Sequence, residues 1–280
     1  MTERLDVALV RRGLSPSRTA AARAIDAGLV RVDGEQAIRA ALKVGESQSI
    51  ELERVDRHVS RAARKLIAAL DAAPDLDLGG RLCLDVGAST GGFTQVLLER
   101  GAARVIALDV GHAQLHPLIR SDPRVAPVEG ENARFLTPAR LEARVAETGR
   151  WAPIRAQDVS LVVADLSFIS LGHVVPAVRG AVSPDADWIL LVKPQFEVGR
   201  QGVREGIVAD RRLAADAVER VLWMAWDEGL ELRSLLPSPI LGTHGNREYL
   251  ARFASAERSP GRDPGQWSDE VRALVEGRGA

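Results

Sequence analysis

From Arg81 onward the chain alternates short apolar runs with amphipathic stretches, and this period constrains its fold more than any other feature. "RLCLDVG", "ARVIALDV", "VSLVVADLSF" and "DWILLVKPQF" are rich in Val, Leu and Ile and mostly end in a polar residue. Helix-compatible segments such as "GFTQVLLERG" and "RLAADAVERVLWMAWDEG" intervene. Strands buried on both faces read as near-continuous apolar runs, and parallel neighbours need helical crossovers. The pattern therefore predicts an α/β fold with a doubly wound, mostly parallel sheet. A ligand site then belongs at the carboxyl ends of the strands.

The region before this sheet has a different texture. Residues 4–30 read as two short helices broken at Gly13-Leu14-Ser15-Pro16, with Ser15 or Ser17 as N-cap of the second. The next stretch alternates and turns at Asp33-Gly34 and at Val44-Gly45, which is hairpin chemistry. A small α+β domain over residues 1–57 is expected, then a linker and leading helix over 58–75. The large domain is expected over 76–257, and a tail over 258–280.

The 280 residues hold 37 Lys+Arg against 38 Asp+Glu, a net charge of -1, so no global basic field announces a nucleic-acid partner. The longest apolar segment is interrupted by Asp165, Gly172 and His173 and falls short of a membrane span. The N-terminus lacks the apolar stretch of a secretory signal. Cys83, the single cysteine, reads as a small buried hydrophobe. A soluble protein of the reducing cytoplasm, with no membrane partner, is the expectation.

The stretch "LDVGASTGGFTQ" carries glycines at 87, 91 and 92 between a strand and a helix. A tight turn without a ligand could use glycine in the same way, but two acids point further. Asp85 ends the strand two residues before the first glycine, and Asp109 ends the next strand about 20 residues on, where an acid accepts ribose hydroxyls. The spacing G-x-x-x-G-G misplaces the pyrophosphate seat of a dinucleotide, and Asp85 repels phosphate while suiting an ammonium group. S-adenosylmethionine, with ribose and ammonium but no phosphate, satisfies both acids. The turn is expected to let backbone pass close under this methyl donor.

Strand ends carry the chemistry on such a sheet. An adenine-N6 enzyme would show an Asn/Asp-Pro-Pro-aromatic box after the fourth strand, whereas here that strand ends "ADLSFIS" with Asp165 and no prolines. The fifth ends "LLVKPQFE", so Lys193 stands at its tip and Pro194 keeps it out of helical geometry. A lysine there either snorkels at the surface or serves as general base toward a sugar hydroxyl, if burial and a second cation favour its neutral form. Lys65 can be that second cation and Glu248 can orient one of the two; which lysine is the base stays open.

Together "VSRAARKL", "LDVGASTGGFTQ", "ADLSFISL", "LVKPQFEVGRQGV" and "SPILGTHGNREYL" resemble the TlyA/hemolysin A family of ribosomal RNA 2′-O-methyltransferases, whose catalytic half resembles the wider FtsJ group. The likeness runs from residue 4 to about residue 255 with the motifs in order. It implies a seven-stranded, Rossmann-like sheet, S-adenosylmethionine as cofactor, and ribosomal RNA or ribosomal subunits as partner, with cytidine as target. It places a Lys-Asp-Lys-Glu tetrad on Lys65, Asp165, Lys193 and Glu248. It places cofactor contacts on Asp85, Gly87, Ala88, Ser89, Thr90, Gly91, Gly92 and Phe93, then on Asp109, Val110, Asn132 and again Asp165. The first domain is similar to the α-L RNA-binding domain of ribosomal protein S-four, which implies RNA-facing Arg4, Ser17, Arg18 and Arg23, joined by Arg61. One departure is "REGIVAD" after "QFEVGRQGV", where relatives usually carry a lysine and paired glycines.

Weaker signals fit around this reading. "RRGLSPSRTAAAR" holds four arginines without an acid, a phosphate-binding pattern in a small domain of this kind. His112 and His116 lie one helical turn apart but lack a third ligand, so no metal site is expected. Trp223 and Trp226 are expected in core packing. Two rival functions remain: a non-catalytic RNA-binding or assembly factor with a vestigial pocket, and a cytolysin.

Overall fold

A computed structural model of the chain describes residues 2–26, 28–37, 39–52, 58–199, 203, 206–242, 245–255 and 263–276. They fall into two units, Met1–Arg57 and His58–Ala280.

In the first unit, β1 (Thr2–Arg4) leads into α1 (Leu5–Arg11), and α2 (Arg18–Asp26) follows. Ser17 is the N-cap of α2, its Oγ accepting from the Ala20 backbone N–H at 3.2 Å. β2 (Val30–Val32) and β3 (Glu35–Gln36) form the expected two-residue hairpin, with Asp33 and Gly34 both at positive φ. The second expected turn is displaced. Val44 and Gly45 belong to β4 (Lys43–Gly45), which pairs with β1, because Val44 fills the core of this unit at 1% exposure. β5 (Ile50–Leu52) pairs with β2. Leu5, Leu9, Ile25 and Val30 complete that core.

The second unit opens with α3 (Ala63–Asp71), and the expected alternation follows. In chain order it runs β6 (Leu82–Val86), α4 (Gly92–Glu99), β7 (Arg104–Asp109), α5 (Pro117–Ser121), β8 (Val125–Glu129), α6 (Pro138–Glu147), β9 (Val159–Ala164), α7 (Val175–Ala181) and β10 (Asp187–Val192). It closes with α8 (Pro194–Glu197), α9 (Arg211–Asp227), β11 (Leu230–Pro237), β12 (Tyr249–Ser255) and α10 (Ser268–Glu276). The sheet has seven strands in the order β11-β12-β10-β9-β6-β7-β8, and β12 alone runs against its neighbours. The chain leaves β6 toward β7 and later returns to its other side with β9. The switch point therefore lies between β6 and β9, which opens a crevice at their carboxyl ends.

Strand alternation sorts the side chains onto two faces. Leu84, Ile106, Val162 and Leu190 pack with α6, α7, α9 and α10, while Cys83, Val105, Leu161, Val163, Ile189, Leu191 and Leu250 pack with α3 and α4. Residues of the same parity as the second set are Asp85, Asp165, Lys193 and Glu248. All four therefore continue the face that α3 covers.

Both segments flanking the large domain are anchored to it. Residue 58 already belongs to the second unit, with His58 paired to Glu99 and the Val59 N–H bonded to Gln95. The expected tail is folded as well: α10 packs on α9, with Val271 and Val275 buried, because its apolar stripe completes that core. Trp223, expected in the core, is 45% exposed beside Gly265. Cys83 is fully buried, which pushes its thiol up to about 12. Among the described residues no helix is long and apolar enough to cross a membrane.

Candidate active site

Two adjoining cavities open at the carboxyl ends of β6 and β9. The larger, about 520 Å³, is lined by Val86, Leu108, Asp109, Val110, Glu131, Asn132, Ala133 and Ile169 among others. The smaller, about 200 Å³, is lined by Ser60, Arg61, Lys65, Ala88, Thr90, Gly92, Phe93 and Lys193. Gly87, Ser89, Asp165 and Ser167 line both and so mark the junction.

The four side chains of the expected tetrad converge beside the smaller cavity. Lys193 Nζ lies 2.6 Å from Asp165 Oδ1, and Lys65 Nζ lies 3.4 Å from Asp165 Oδ2 and 2.7 Å from Glu248 Oε2. The contact with Glu248 is an ion pair outside hydrogen-bond geometry. Lys65, Lys193 and Glu248 are buried, and each amine faces at least one carboxylate, the pairing that buried polar groups require. Glu248 lines neither cavity; it stands behind Lys65. Lys193 holds the extended backbone imposed by Pro194, with φ -115° and ψ 97°.

Gly87 and Gly91 have φ of +82° and +93°, so both need the left-handed region. A Cβ on Gly87 would come within 2.9 Å of Leu166, one on Gly91 within 2.9 Å of Leu115, and one on Gly92 within 2.8 Å of Ser60. The missing side chains make room for neighbouring protein segments, while Gly87, Ala88, Ser89, Thr90, Gly92 and Phe93 line the smaller cavity. Asp85 lies beneath the turn, fully buried and lining neither cavity. Its Oδ2 accepts from Thr94 Oγ1 at 2.6 Å, and Oδ1 has no partner among the described residues. Burial pushes this carboxyl up to about 7 against the opposing hydrogen bond from Thr94.

Asp109 is held on the rim of the larger cavity by the N–H groups of Ser89 at 2.8 Å and Gly111 at 2.7 Å. Asn132 caps its own turn by accepting from the Arg134 N–H, and Val110 is 66% exposed. Two residues went unnoticed in the sequence. Ser167 lies beside Lys193, which donates to its Oγ at 2.8 Å; Glu131 is buried in the wall between Arg140 and Arg144. Its place two residues after Asp165 was the only sequence signal for Ser167, and Glu131 had only its neighbour Asn132. His116 caps α5 through Nδ1, and no group of three or more metal-ligating side chains occurs among the described residues.

The first unit presents its arginines unequally. Arg4 and Arg18 both reach the buried Asp6, each at 2.9 Å, and the pair holds its carboxyl down at about 2. Arg11 pairs with Glu3 at 2.7 Å, while Arg12 donates to the carbonyls of Gly45 and Gln48. The patch that reads as free of acids is thus met by acids from outside it. Arg23 and Ser17 are exposed, and Arg61 is exposed at the mouth of the smaller cavity in the second unit. Arg204 and Glu205, where the sequence departs from the family pattern, lie outside the described residues.

A doubly wound sheet with two lysines and two acids converging at a glycine turn defines a methyltransferase of the FtsJ-like class, and the FtsJ-like methyltransferase family model matches residues 58–254. An S4 domain matches residues 3–50. The 16S/23S rRNA (cytidine-2′-O)-methyltransferase TlyA of Mycobacterium tuberculosis is 47% identical over 250 residues, 88% of each chain. Hemolysin A of Brachyspira hyodysenteriae is 36% identical over 89% of this chain and 99% of its own. A solved structure from Streptococcus thermophilus, described as a "putative hemolysin", has a TM-score of 0.71 at 35% identity; the match covers 99% of this chain and 96% of that one. The chain belongs to the TlyA family of FtsJ-like methyltransferases.

Proposed function

We propose that this protein moves a methyl group from S-adenosylmethionine to the ribose 2′-hydroxyl of a cytidine in ribosomal RNA. The observation that carries the reading is the convergence of Lys65, Asp165, Lys193 and Glu248 beside a glycine-turn cavity. Ribosomal subunits in the cytoplasm are the proposed partner and place of action.

The residues fit the donor molecule. Asp109 keeps lone pairs available on a carboxylate fixed by two backbone N–H groups, which suits ribose hydroxyls. Val86, Leu108, Ala133 and Ile169 supply apolar walls for a base, with Val110 and Asn132 at the rim. The donor supplies an electrophilic methyl on sulfur, and the chain must align the attacking oxygen and accept its proton. Lys193, beside the smaller cavity, is assigned to the hydroxyl. Lys65, braced by Glu248, balances the charge of Asp165 and keeps that acid fixed between the two amines. Alignment and proton removal are the two tasks that residues at this site can perform.

The reading is tested with ribosomal subunits and a tritiated methyl donor, followed by mapping of 2′-O-methyl marks. Transfer to a ribose hydroxyl is expected. Absence of transfer, or a mark on a base nitrogen, would overturn it. Calorimetry showing no S-adenosylmethionine binding would favour the non-catalytic RNA-binding alternative.

A further inference from the structure

We infer that Ser167 is a positioning residue for methyl transfer, fixing the Lys193 amine so that its one remaining direction faces the substrate hydroxyl. The inference rests on the function proposed above. A tetrahedral amine has one bond to its own side chain and three other directions. At Lys193 one goes to Asp165 Oδ1 at 2.6 Å and one to Ser167 Oγ at 2.8 Å. Lys193 and Ser167 both line the smaller cavity, which is where the last direction can be used.

In the basic form of the amine, its two N–H groups are spent on Asp165 and Ser167, and the lone pair occupies the remaining direction. As the ribose oxygen bonds the methyl carbon and the carbon–sulfur bond breaks toward sulfur, the hydroxyl proton passes to this lone pair and the amine becomes an ammonium. Without the serine oxygen, one N–H has no fixed acceptor, the amine rotates, and the lone pair faces the hydroxyl for only part of the time. Lys65 has no comparable arrangement, since its contacts are the carboxylates of Asp165 and Glu248.

The segment bearing Ser167 is tied to the one bearing Lys193 at two further points. The rings of Phe168 and Phe196 lie 5.3 Å apart, and Glu197 accepts from Ser170 Oγ at 2.6 Å and from the Leu171 N–H at 2.9 Å. Ser167 itself is exposed, so its hydroxyl is not needed to fill a core.

The test is steady-state methyl transfer to ribosomal subunits by the full chain, with Ser167→Ala and Ser167→Thr beside the wild type. Ser167→Ala is expected to lower kcat by about 10- to 100-fold, the scale of a misdirected proton acceptor. Both KM values should stay near wild type. Ser167→Thr, which keeps the hydroxyl, should recover most of the rate. Wild-type kcat in Ser167→Ala, a raised KM with kcat unchanged, or a Thr variant as slow as the Ala variant would each overturn the inference while the wild type remains active. Lack of transfer by the wild type would instead overturn the functional reading beneath it, and this inference with it.

Discussion

The two lysines of the site differ in what their removal leaves behind. Without Lys193, Asp165 still has Lys65 at 3.4 Å; without Lys65, buried Glu248 loses the cation 2.7 Å away. Breaking a buried pair from one side costs about 3–5 kcal/mol because the partner charge stays uncompensated. Lys65→Met should therefore lower both melting temperature and activity. Lys193→Ala should abolish transfer, keep S-adenosylmethionine binding by calorimetry, and cost less in melting temperature. Equal losses of stability would show that Glu248 is compensated elsewhere. Asp85 makes a separate prediction. Its folded carboxyl is raised to about 7, so the native state holds a proton that the unfolded chain, with an ordinary aspartate near 4, releases. This group's contribution is present at low pH, is lost as pH rises from about 4 to about 7, and is constant above that. In Asp85→Asn, which can still accept from Thr94, denaturation midpoints across this window should lose that component; an unchanged pH profile would refute the assignment.

At the level of elements, the site depends on how closely α3 approaches α4. A Cβ at Gly92 would lie 2.8 Å from Ser60 Cβ and 3.3 Å from the Ala63 nitrogen, just ahead of Lys65 on α3. Gly92→Ala should cost about 1–3 kcal/mol by overpacking. It should also slow transfer by moving Lys65 off Asp165, with thermal melts and the methyl assay as the two readouts. A stable, fully active variant would mean that α3 shifts without consequence. The strands that position the site are legible in sequence because β6, β7, β9 and β10 are apolar runs with polar ends, and Pro194 marks Lys193 as extended. Strand parity adds that Asp85, Asp165, Lys193 and Glu248 share a face. Tertiary contacts account for what is not legible. Val44 is drawn into a strand by the core of the first unit, α10 is recruited by α9, and the missing glycine side chains serve packing between segments. Ser167 gains its importance only from Lys193, 26 residues away.

For the molecule as a whole, the question is how a chain of net charge -1 grips a polyanion. The first unit carries its positive charge in arginines that are already committed to different degrees. Arg4 and Arg18 share Asp6, Arg11 has Glu3, and Arg12 closes the turn after β4 by donating to main-chain carbonyls. Arg23, exposed on α2, is the residue of the patch whose removal should act on RNA with least effect on folding. Each phosphate contact contributes roughly one to the slope of log affinity against log salt. Arg23→Gln in the full chain should therefore weaken binding to ribosomal RNA, lower that slope by about one, and raise KM for subunits while kcat holds. Arg12→Gln should instead lower the melting temperature, since its contacts with the carbonyls of Gly45, Glu46 and Gln48 go with it. Combining Arg23→Gln with Lys193→Ala should leave the RNA-binding loss of the first variant unchanged, because Arg23 is proposed for phosphate contact and Lys193 for the chemistry. If the salt dependence of Arg23→Gln matches that of wild type across binding titrations, phosphate recognition lies elsewhere on the molecule and α2 is not its RNA-facing helix.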